Sequence, residues 1–346
     1  MSKPENAVLD ATERLFLERC GDEVLASANA GSWSGEFWDE LAAFGLPMAL
    51  VSEDQGGLGL SMGDAYGIAQ LCGQFAVPLP VVETMLANWL LTLAGLPARD
   101  GPQCLLFEGL SVINPTGGRR LVGTCPTVPW GRNCAPVAWV QDAELSYVVA
   151  LDKSQGEVAE GINIANEPRD ALTIDADMTG QNVAVCAVDP ALTERCAALR
   201  CVQMAGAMAT IGEMSIAFAM EREQFGRPLA KFQAIQQSLA VLAEQVALAS
   251  VAAQMASGAV SASSVQTLAI ASAKARVGEA AGDVAATAHQ VHGAIGFSEE
   301  YRLHYFTRRL WSWRDEFGNE TSWFEQIGRA IAKAGPDRLW SELTEI

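Results

Sequence analysis

The chain has 346 residues, half of them hydrophobic, and a formal net charge of −18. This length suggests two or three domains and a large buried core. Because an acidic surface repels phosphate backbones and anionic lipid headgroups, the charge argues against nucleic acid and membrane surfaces as partners.

The eight cysteines are scattered without a Cys-x-x-Cys pair, and the three histidines lie far in sequence from most of them. This pattern is neither a zinc site nor a secreted disulfide framework, so we predict no metal and buried free thiols in a reducing cytoplasm. The N-terminal residues contain no apolar signal region, and no clean run of 18 apolar residues predicts a membrane span.

Residues 1–103 are predicted to form an N-terminal helical domain, with helices near 6–20, 37–44, 61–75 and 81–93. Residues 104–189 change character. Short β-rich runs at 120–123, 137–140, 145–151, 171–174 and 182–185 are separated by Gly, Pro, Asn and Asp. This spacing predicts a small, shortened antiparallel barrel or sandwich as the middle β domain.

Residues 190–346 return to helical patterns, near 201–220, from 233 onward, 264–293, 301–314 and 322–334. Long consecutive helices with short links predict a C-terminal four-helix-bundle domain and an α+β fold class for the whole chain. The helix near 205–220 is apolar nearly all round, so we expect it to be buried in an obligate oligomer.

One stretch interrupts these helices: Arg222-Glu-Gln-Phe-Gly-Arg-Pro-Leu-Ala-Lys-Phe-Gln233. Gly226 permits positive φ and Pro228 suits the first turn of a following helix, so the stretch is predicted to be a helix-turn-helix corner. Spacing alone leaves two interpretations open, a functional corner or a surface Arg beside a core Phe.

This corner resembles the one found in acyl-CoA dehydrogenases. The segment Gln290-Val-His-Gly-Ala-Ile-Gly-Phe297 resembles that family's Gln-x-x-Gly-Gly-x-Gly-Phe segment, and residues 44–59 also match. The resemblance covers most of the chain and implies the family's arrangement of a helical domain, a small β-barrel and a helical bundle. It also implies FAD as cofactor.

By this resemblance Arg222 reaches the pyrophosphate of the FAD of a neighbouring subunit, since a planar guanidinium donates two parallel hydrogen bonds. The other implied cofactor-binding residues are Gln224, Phe225, Leu229, Phe232, Gln233, Gln290, Gly293 and Ala294. Ala294 stands where the family usually has a second Gly. Phe225 and Gln233 would serve a packed core equally well.

The family's reaction removes hydrogens from the α and β carbons of an acyl-CoA thioester, and a Glu takes the α-proton. In the loop that usually carries this base, Gly318 falls at the matching position. At the family's other base position, Leu199 precedes Arg200, and counting from the corner gives Cys196. Glu320 is the best local candidate, although a charge at a helix start explains it as well.

The middle region also departs from the family, because its flavin-side Thr-Glu-Pro-x-x-Gly-Ser-Asp segment has no counterpart between residues 103 and 128. Trp130 falls loosely where a flavin-shielding Trp is expected. The Arg and Trp cluster at 308–314 could receive an anionic substrate tail, or it could be packed Trp beside solvated Arg.

Three hypotheses of function follow. The chain is an acyl-CoA dehydrogenase with a displaced base, Glu320, or the base-lacking subunit of an α2β2 heterotetramer like those acting on steroid side-chain CoA esters, or a non-catalytic scaffold. The missing base favours the second hypothesis. The resemblance implies an acyl-CoA substrate, a tetramer with a related subunit or with itself, and electron-transferring flavoprotein as acceptor.

Overall fold

The computed structural model describes residues 4–115, 118–142, 145–261, 264–338 and 341. Contacts divide the chain into two compact units, each assembled from separate parts of the sequence. The first comprises Met1–Leu25, Met62–Val77 and Thr193–Ile346, and the second comprises Ala26–Ser61 and Pro78–Leu192. The three domains predicted from the sequence stay a prediction, although helices give way to strands, and strands to helices, near the expected boundaries.

Five helices precede the strands: α1 (Pro4–Arg19), α2 (Asp22–Asn29), α3 (Gly35–Ala43), α4 (Met62–Gln74) and α5 (Val81–Leu93). Four of them lie where the apolar periodicity predicts. The sequence analysis missed α2, which is eight residues long and buries only Leu25. A helix this short has too few apolar positions to show a period.

Eight strands follow: β1 (Gln103–Leu106), β2 (Leu110–Ile113), β3 (Arg120–Pro129), β4 (Ala135–Asp142), β5 (Leu145–Ala150), β6 (Gly156–Ala159), β7 (Arg169–Asp177) and β8 (Val183–Cys186). They form two four-stranded sheets, in the orders β1-β4-β5-β8 and β2-β3-β7-β6. Only the β1–β4 pair is parallel among these described strands.

The α+β class is confirmed, but the predicted barrel is not closed. Within the described residues no strand pairing joins the two sheets. Instead, apolar side chains of both sheets share one core, in which Leu106 and Tyr147 of the first sheet belong with Leu121 and Ile174 of the second. The sequence analysis missed β1, β2 and β6, which are four-residue strands at sheet edges.

The C-terminal part contains α6 (Leu192–Glu221), α7 (Gln233–Ser261), α8 (Thr267–His292), α9 (Leu303–Trp313) and α10 (Glu320–Ala334). In the first unit α6 packs closely against α4. A Cβ built on Gly206 would overlap the carbonyl oxygen of Gln70, and one on Gly73 would overlap that of Gln203. Glycine therefore sets how near these two backbones approach.

Two helices of the described chain, α6 and α7, are long and apolar enough to cross a membrane by length and composition. This corrects the sequence-based expectation that no such stretch occurs. The most apolar window of α6 is 61% buried, and that of α7 only 28%. Core helices of soluble proteins pass the same test, and α6 is such a core helix within its unit.

The burial of α6 also corrects the argument for an oligomer. Ala205, Met208 and Ile211 are buried within the chain itself, while Ile216 and Met220 near the helix end are exposed. The larger apolar exposure lies on α7, where Val241, Leu248, Val251 and Met255 face solvent.

Candidate functional site

The predicted corner after α6 is a β-hairpin. Two short strands, β9 (Glu223–Gln224) and β10 (Arg227–Pro228), pair antiparallel. The two turn residues, Phe225 and Gly226, have φ of 54° and 78°. Positive φ at both positions is typical of a type I′ turn, in which a Phe is unusual. A single 3₁₀ turn, Leu229–Lys231, then leads into α7.

The hairpin displays its predicted cofactor-binding residues to solvent. Arg222, Gln224 and Gln233 are exposed, and the Phe225 side chain is 90% exposed. The Phe225 ring lies edge-on to the half-buried Phe232, with centroids 6.1 Å apart. Phe225 is therefore not a core residue of this chain, and the hairpin has the exposure expected of a segment that binds outside its own subunit.

The backbone of the hairpin is anchored while the Arg222 guanidinium is available. The Arg222 amide donates to the Phe218 carbonyl oxygen at 2.9 Å, and the Leu229 amide donates to the Arg222 carbonyl oxygen at 2.8 Å. Among the described residues the Arg222 side chain makes no ion pair. A second cation, Arg227, lies over the Phe232 ring at 4.2 Å from its centroid.

The second predicted segment lies at the end of α8. Gln290, Gly293 and Ala294 are all exposed. Gly293 has φ 62° and ψ −141°, a conformation that other residues rarely adopt. Nothing lies within 4 Å of its missing Cβ, so an anion can approach the backbone there.

A groove of about 410 Å³ runs along this segment. It is lined by Ala286, His289, Gln290, Gly293, Phe297 and Trp311. The exposed cation of the hairpin and the open backbone at Gly293 are groups that suit the nucleotide half of FAD.

His289 forms the floor of this groove and was missed as a site residue by the sequence analysis. Its ring stacks between Phe297, at 4.1 Å between centroids, and Trp311, at 5.8 Å. Its Nε2 lies 3.0 Å from Thr307 Oγ1, while its buried Nδ1 has no partner in the described chain. Burial and the neighbouring His292 and His304 lower the pKa of His289 below its usual value.

The candidate base Glu320 opens α10 and is held by an arginine. Its Oε1 accepts a hydrogen bond from Arg314 Nε at 2.8 Å, and its side chain is 13% exposed. The Glu320 carboxylate packs directly against Gly278 of α8. A Cβ at position 278 would overlap this carboxylate, so the contact requires glycine. Glu320 is thus part of a fixed contact between α8 and α10.

Glu316 is held in the same way. Its Oε2 accepts from Arg200 Nε at 2.7 Å, and Arg200 is fully buried, with its guanidinium 5.7 Å from the Trp313 ring centroid and 5.6 Å from that of Phe317. Both glutamates near the expected base position, Glu316 and Glu320, therefore pair with arginines.

The loop between α9 and α10 is fixed by a buried lysine as well. Lys274 Nζ donates to the carbonyl oxygens of Arg314, at 2.7 Å, and Gly318, at 2.8 Å. Burial lowers the pKa of Lys274 below its usual value. Sequence reasoning missed this residue, since a lone Lys in an Ala-rich helix carries no motif.

Gly318, at the position where the family has its Glu, cannot carry a side chain here. Its φ is 96°, in the left-handed region, and a Cβ would lie 2.5 Å from Trp323 Nε1. At the alternative base position, Leu199 and Cys196 are buried apolar residues, and Glu194 accepts a hydrogen bond from Thr267 at 3.2 Å.

The remaining sequence candidates are mostly structural. Trp130 is buried against Trp33 in the core of the second unit, at 6.1 Å between ring centroids. In the 308–314 cluster, Arg309 and Trp313 are buried, whereas Trp311 borders the groove. The eight cysteines are buried free thiols, as predicted. The described residues contain no cluster of His, Cys, Asp or Glu that could hold a metal.

A family model for the acyl-CoA dehydrogenase C-terminal domain matches residues 193–332. The acyl-CoA dehydrogenase IpdE2 of Mycobacterium tuberculosis (strain ATCC 25618 / H37Rv) is 23% identical over 321 residues, which span 89% of this chain and 92% of that protein. Residues 193–332 therefore match the acyl-CoA dehydrogenase C-terminal domain, and the relatives that align over most of the chain are named acyl-CoA dehydrogenases. The name of these relatives denotes an oxidoreductase.

Solved structures with the acyl-CoA dehydrogenase fold superpose along almost the whole chain. The Tcur3481-Tcur3483 steroid ACAD G363A variant has a TM-score of 0.83 at 21% identity, covering 96% of this chain and 98% of that one. The ChsE4-ChsE5 complex from Mycobacterium tuberculosis has a TM-score of 0.79 at 19% identity, covering 97% and 99%. At these identities the likeness shows the fold.

Proposed function

We propose that this chain is the base-lacking subunit of an FAD-dependent acyl-CoA dehydrogenase, which introduces a double bond between the α and β carbons of an acyl-CoA thioester. A related chain supplies the base and most of the FAD site, and this chain lends its Arg222 hairpin. The observation that carries the proposal is the loop between α9 and α10, where Gly318 replaces the base and the two glutamates, Glu316 and Glu320, are paired with arginines.

The pairing matters because a general base must offer a free oxygen within about 3 Å of the proton it removes. To act as a base, Glu320 would have to break its ion pair with Arg314. Glu316 would have to break its ion pair with Arg200, and the buried Arg200 guanidinium would then lack a carboxylate partner. An unpaired buried charge costs several kcal/mol, on the order of 3–5. Neither carboxylate is therefore poised for proton abstraction.

The cofactor-facing residues support the other half of the proposal. Bound FAD would accept the β-hydride, and this chain would hold the nucleotide end through the Arg222 guanidinium. Gln290 and the open backbone at Gly293 would contact the same end. The exposure of the hairpin in the single chain fits a role in a neighbouring subunit's site.

Two structural neighbours give the assembly a precedent, since their names denote two-component proteins, one of them a steroid ACAD. By analogy we propose an α2β2 tetramer in the cytoplasm that acts in lipid or steroid catabolism. Its electrons would pass to electron-transferring flavoprotein. A self-sufficient enzyme with Glu320 as base is the second candidate, favoured by the position of Glu320 two residues after Gly318, where the family's base is expected.

The test is to express the chain alone and together with a related, longer acyl-CoA dehydrogenase chain. Each preparation is assayed with FAD, an artificial electron acceptor and a panel of acyl-CoA esters that includes steroid ones. We expect turnover only from the mixed complex, and we expect Glu320→Gln and Glu316→Gln to leave its chemical step intact. Glu325→Gln, an exposed α10 carboxylate paired with Arg329, is the matched control.

Robust turnover by the lone chain that disappears in Glu320→Gln, but not in Glu325→Gln, would establish Glu320 as the base and reject the base-lacking assignment. A chain that binds neither FAD nor any related subunit would support the scaffold hypothesis instead.

A further inference from the structure

His292 is buried at the junction of three elements of the first unit. Its ring stacks on Phe218 of α6, with centroids 4.5 Å apart and planes at 30°. On another side it meets Tyr301, which precedes α9, at 5.1 Å between centroids. The side chain is 5% exposed, so its contacts are entirely within the protein.

The hydrogen bonds of His292 define its protonation. Nδ1 lies 2.8 Å from the Ala288 carbonyl oxygen, and Nε2 lies 3.2 Å from the Tyr301 hydroxyl. A carbonyl only accepts, so Nδ1 carries the hydrogen and Nε2 accepts from Tyr301 in the neutral ring. Burial lowers the pKa of His292, partly opposed by hydrogen bonds with the carbonyls of Ala288 and Met214, so the ring is neutral at neutral pH.

This position links the two segments to which the proposed function assigns FAD contacts. Phe218, under the His292 ring, accepts the Arg222 amide hydrogen through its carbonyl oxygen, one helical turn before the hairpin. Gly293 follows His292 directly. Gly296 packs onto His292, because a Cβ there would lie 3.1 Å from the His292 Cβ.

We propose that His292 is a positioning residue, which together with Tyr301 fixes the Arg222 hairpin and the 290–294 segment relative to each other so that both can meet one FAD. This inference rests on the proposed function. The His292–Phe218 stack secures the end of α6, and the Tyr301 hydroxyl secures the ring against the turn before α9. The residues of each segment that would meet FAD, Arg222 and Gln224 in one and Gln290, Gly293 and Ala294 in the other, are exposed.

The test uses Tyr301→Phe, which removes one hydroxyl and keeps the ring, and His292→Phe, which keeps a ring on Phe218 and removes both hydrogen bonds. Tyr66→Phe is the matched control, because it deletes a buried hydroxyl that donates to the Arg195 carbonyl oxygen in the same unit. Amide hydrogen exchange of the chain is measured by mass spectrometry over 218–224 and 290–298. FAD affinity of the mixed complex is measured by flavin fluorescence.

We expect Tyr301→Phe to speed exchange in both segments together and to weaken FAD binding roughly two- to tenfold, the effect of one hydrogen bond. Tyr66→Phe should lower thermal stability without changing exchange in either segment or FAD affinity. The double variant should bind FAD as His292→Phe does, since the two side chains act through one contact.

The inference is overturned if exchange rises in only one segment, or if Tyr66→Phe weakens FAD binding as much as Tyr301→Phe. These outcomes leave the proposed function standing, provided that Arg222→Ala still releases FAD. If the wild-type complex binds no FAD at any concentration tested, the proposed function is wrong. The inference is then wrong as well, irrespective of the amide hydrogen exchange rates.

Discussion

Charged side chains of the C-terminal part differ in whether they are exposed and unpaired or buried and held by a partner. Arg222 is exposed and has no ion-pair partner among the described residues. Arg200 and Lys274 are buried and fully committed, to a carboxylate in one case and to two backbone carbonyls in the other. Arg222 is therefore an available cation on the hairpin, whereas Arg200 and Lys274 are held around the loop where a base is expected.

Replacing Arg222 by Ala is expected to lower FAD retention strongly while the fold survives. A charge-assisted bidentate contact to a pyrophosphate is worth roughly 1.5–3 kcal/mol, or about ten- to hundredfold in affinity. Flavin content after extensive dialysis of the mixed complex measures this. Arg329→Ala, an exposed α10 arginine paired with Glu325, serves as the control and should keep its flavin. Stoichiometric yellow flavin in the Arg222→Ala complex would refute the assigned role.

His289 and His292 make stability depend on pH in a defined direction. Burial lowers the pKa of both histidines below the ordinary value near ~6.5. Between the lowered and the ordinary pKa, the unfolded chain binds more protons than the folded chain, so the free energy of unfolding rises with pH. This contribution is fully present above about pH 6.5 and is lost as the pH falls through the folded pKa values.

Urea unfolding of the wild type and of His289→Phe/His292→Phe, at neutral and at mildly acidic pH, measures this dependence. The double variant is expected to lose less stability on acidification than the wild type. Tyr66→Phe, which introduces no change in titration near these pH values, should keep the wild-type difference. An identical pH dependence in the double variant would show that other groups carry it.

At the scale of elements, the crossing of α4 and α6 depends on two glycines. Gly206→Ala is expected to destabilise the chain by roughly 1–3 kcal/mol, since the added methyl overlaps the Gln70 carbonyl oxygen. Gly328→Ala in α10 is the matched control, because nothing lies within 4 Å of its missing Cβ. That change should stabilise by up to about 1 kcal/mol through helix propensity. Thermal unfolding distinguishes them, and equal melting temperatures would contradict the close crossing.

At the scale of the whole molecule, α7 exposes an apolar stripe that the single chain leaves uncovered. Val241, Leu248, Val251 and Met255 recur at spacings of seven, three and four residues. This is the pattern of a helix that packs against another helix. Glu244 is the only charged residue in the 29 residues of α7. We therefore expect this stripe to be covered by another subunit.

Val251→Glu is expected to dissociate the assembly, because a charge in an apolar helix contact is costly to bury. Light scattering should show a smaller mass than that of the wild type. The control is Leu17→Glu, which changes an equally exposed apolar residue of α1. A wild-type chain that is a stable monomer on its own and in the presence of related subunits would remove the oligomer prediction.

The sequence by itself determined the features that depend on neighbouring residues. Helical periodicity located most helices, and β-rich runs located five of the eight strands described in the middle region. The Arg222 and Gln290 motifs are contiguous stretches, so the order of residues along the chain is enough to show the resemblance to acyl-CoA dehydrogenases. Gly318 likewise falls where the family usually has its Glu, which predicts that the usual base is missing.

Only the tertiary structure decided what depends on residues far apart in the chain. Glu316 pairs with Arg200, which lies 116 residues away in the sequence, and no local pattern predicts that pair. The pair between Arg314 and Glu320 was not predicted either. Strand pairing, which is also long-range, decided between the two forms expected from the sequence, a barrel or a sandwich, and gave two separate sheets among the described strands. Composition could not predict that α6 is buried and α7 is exposed, because both helices are apolar. Which of the two is covered depends on the elements that pack against it.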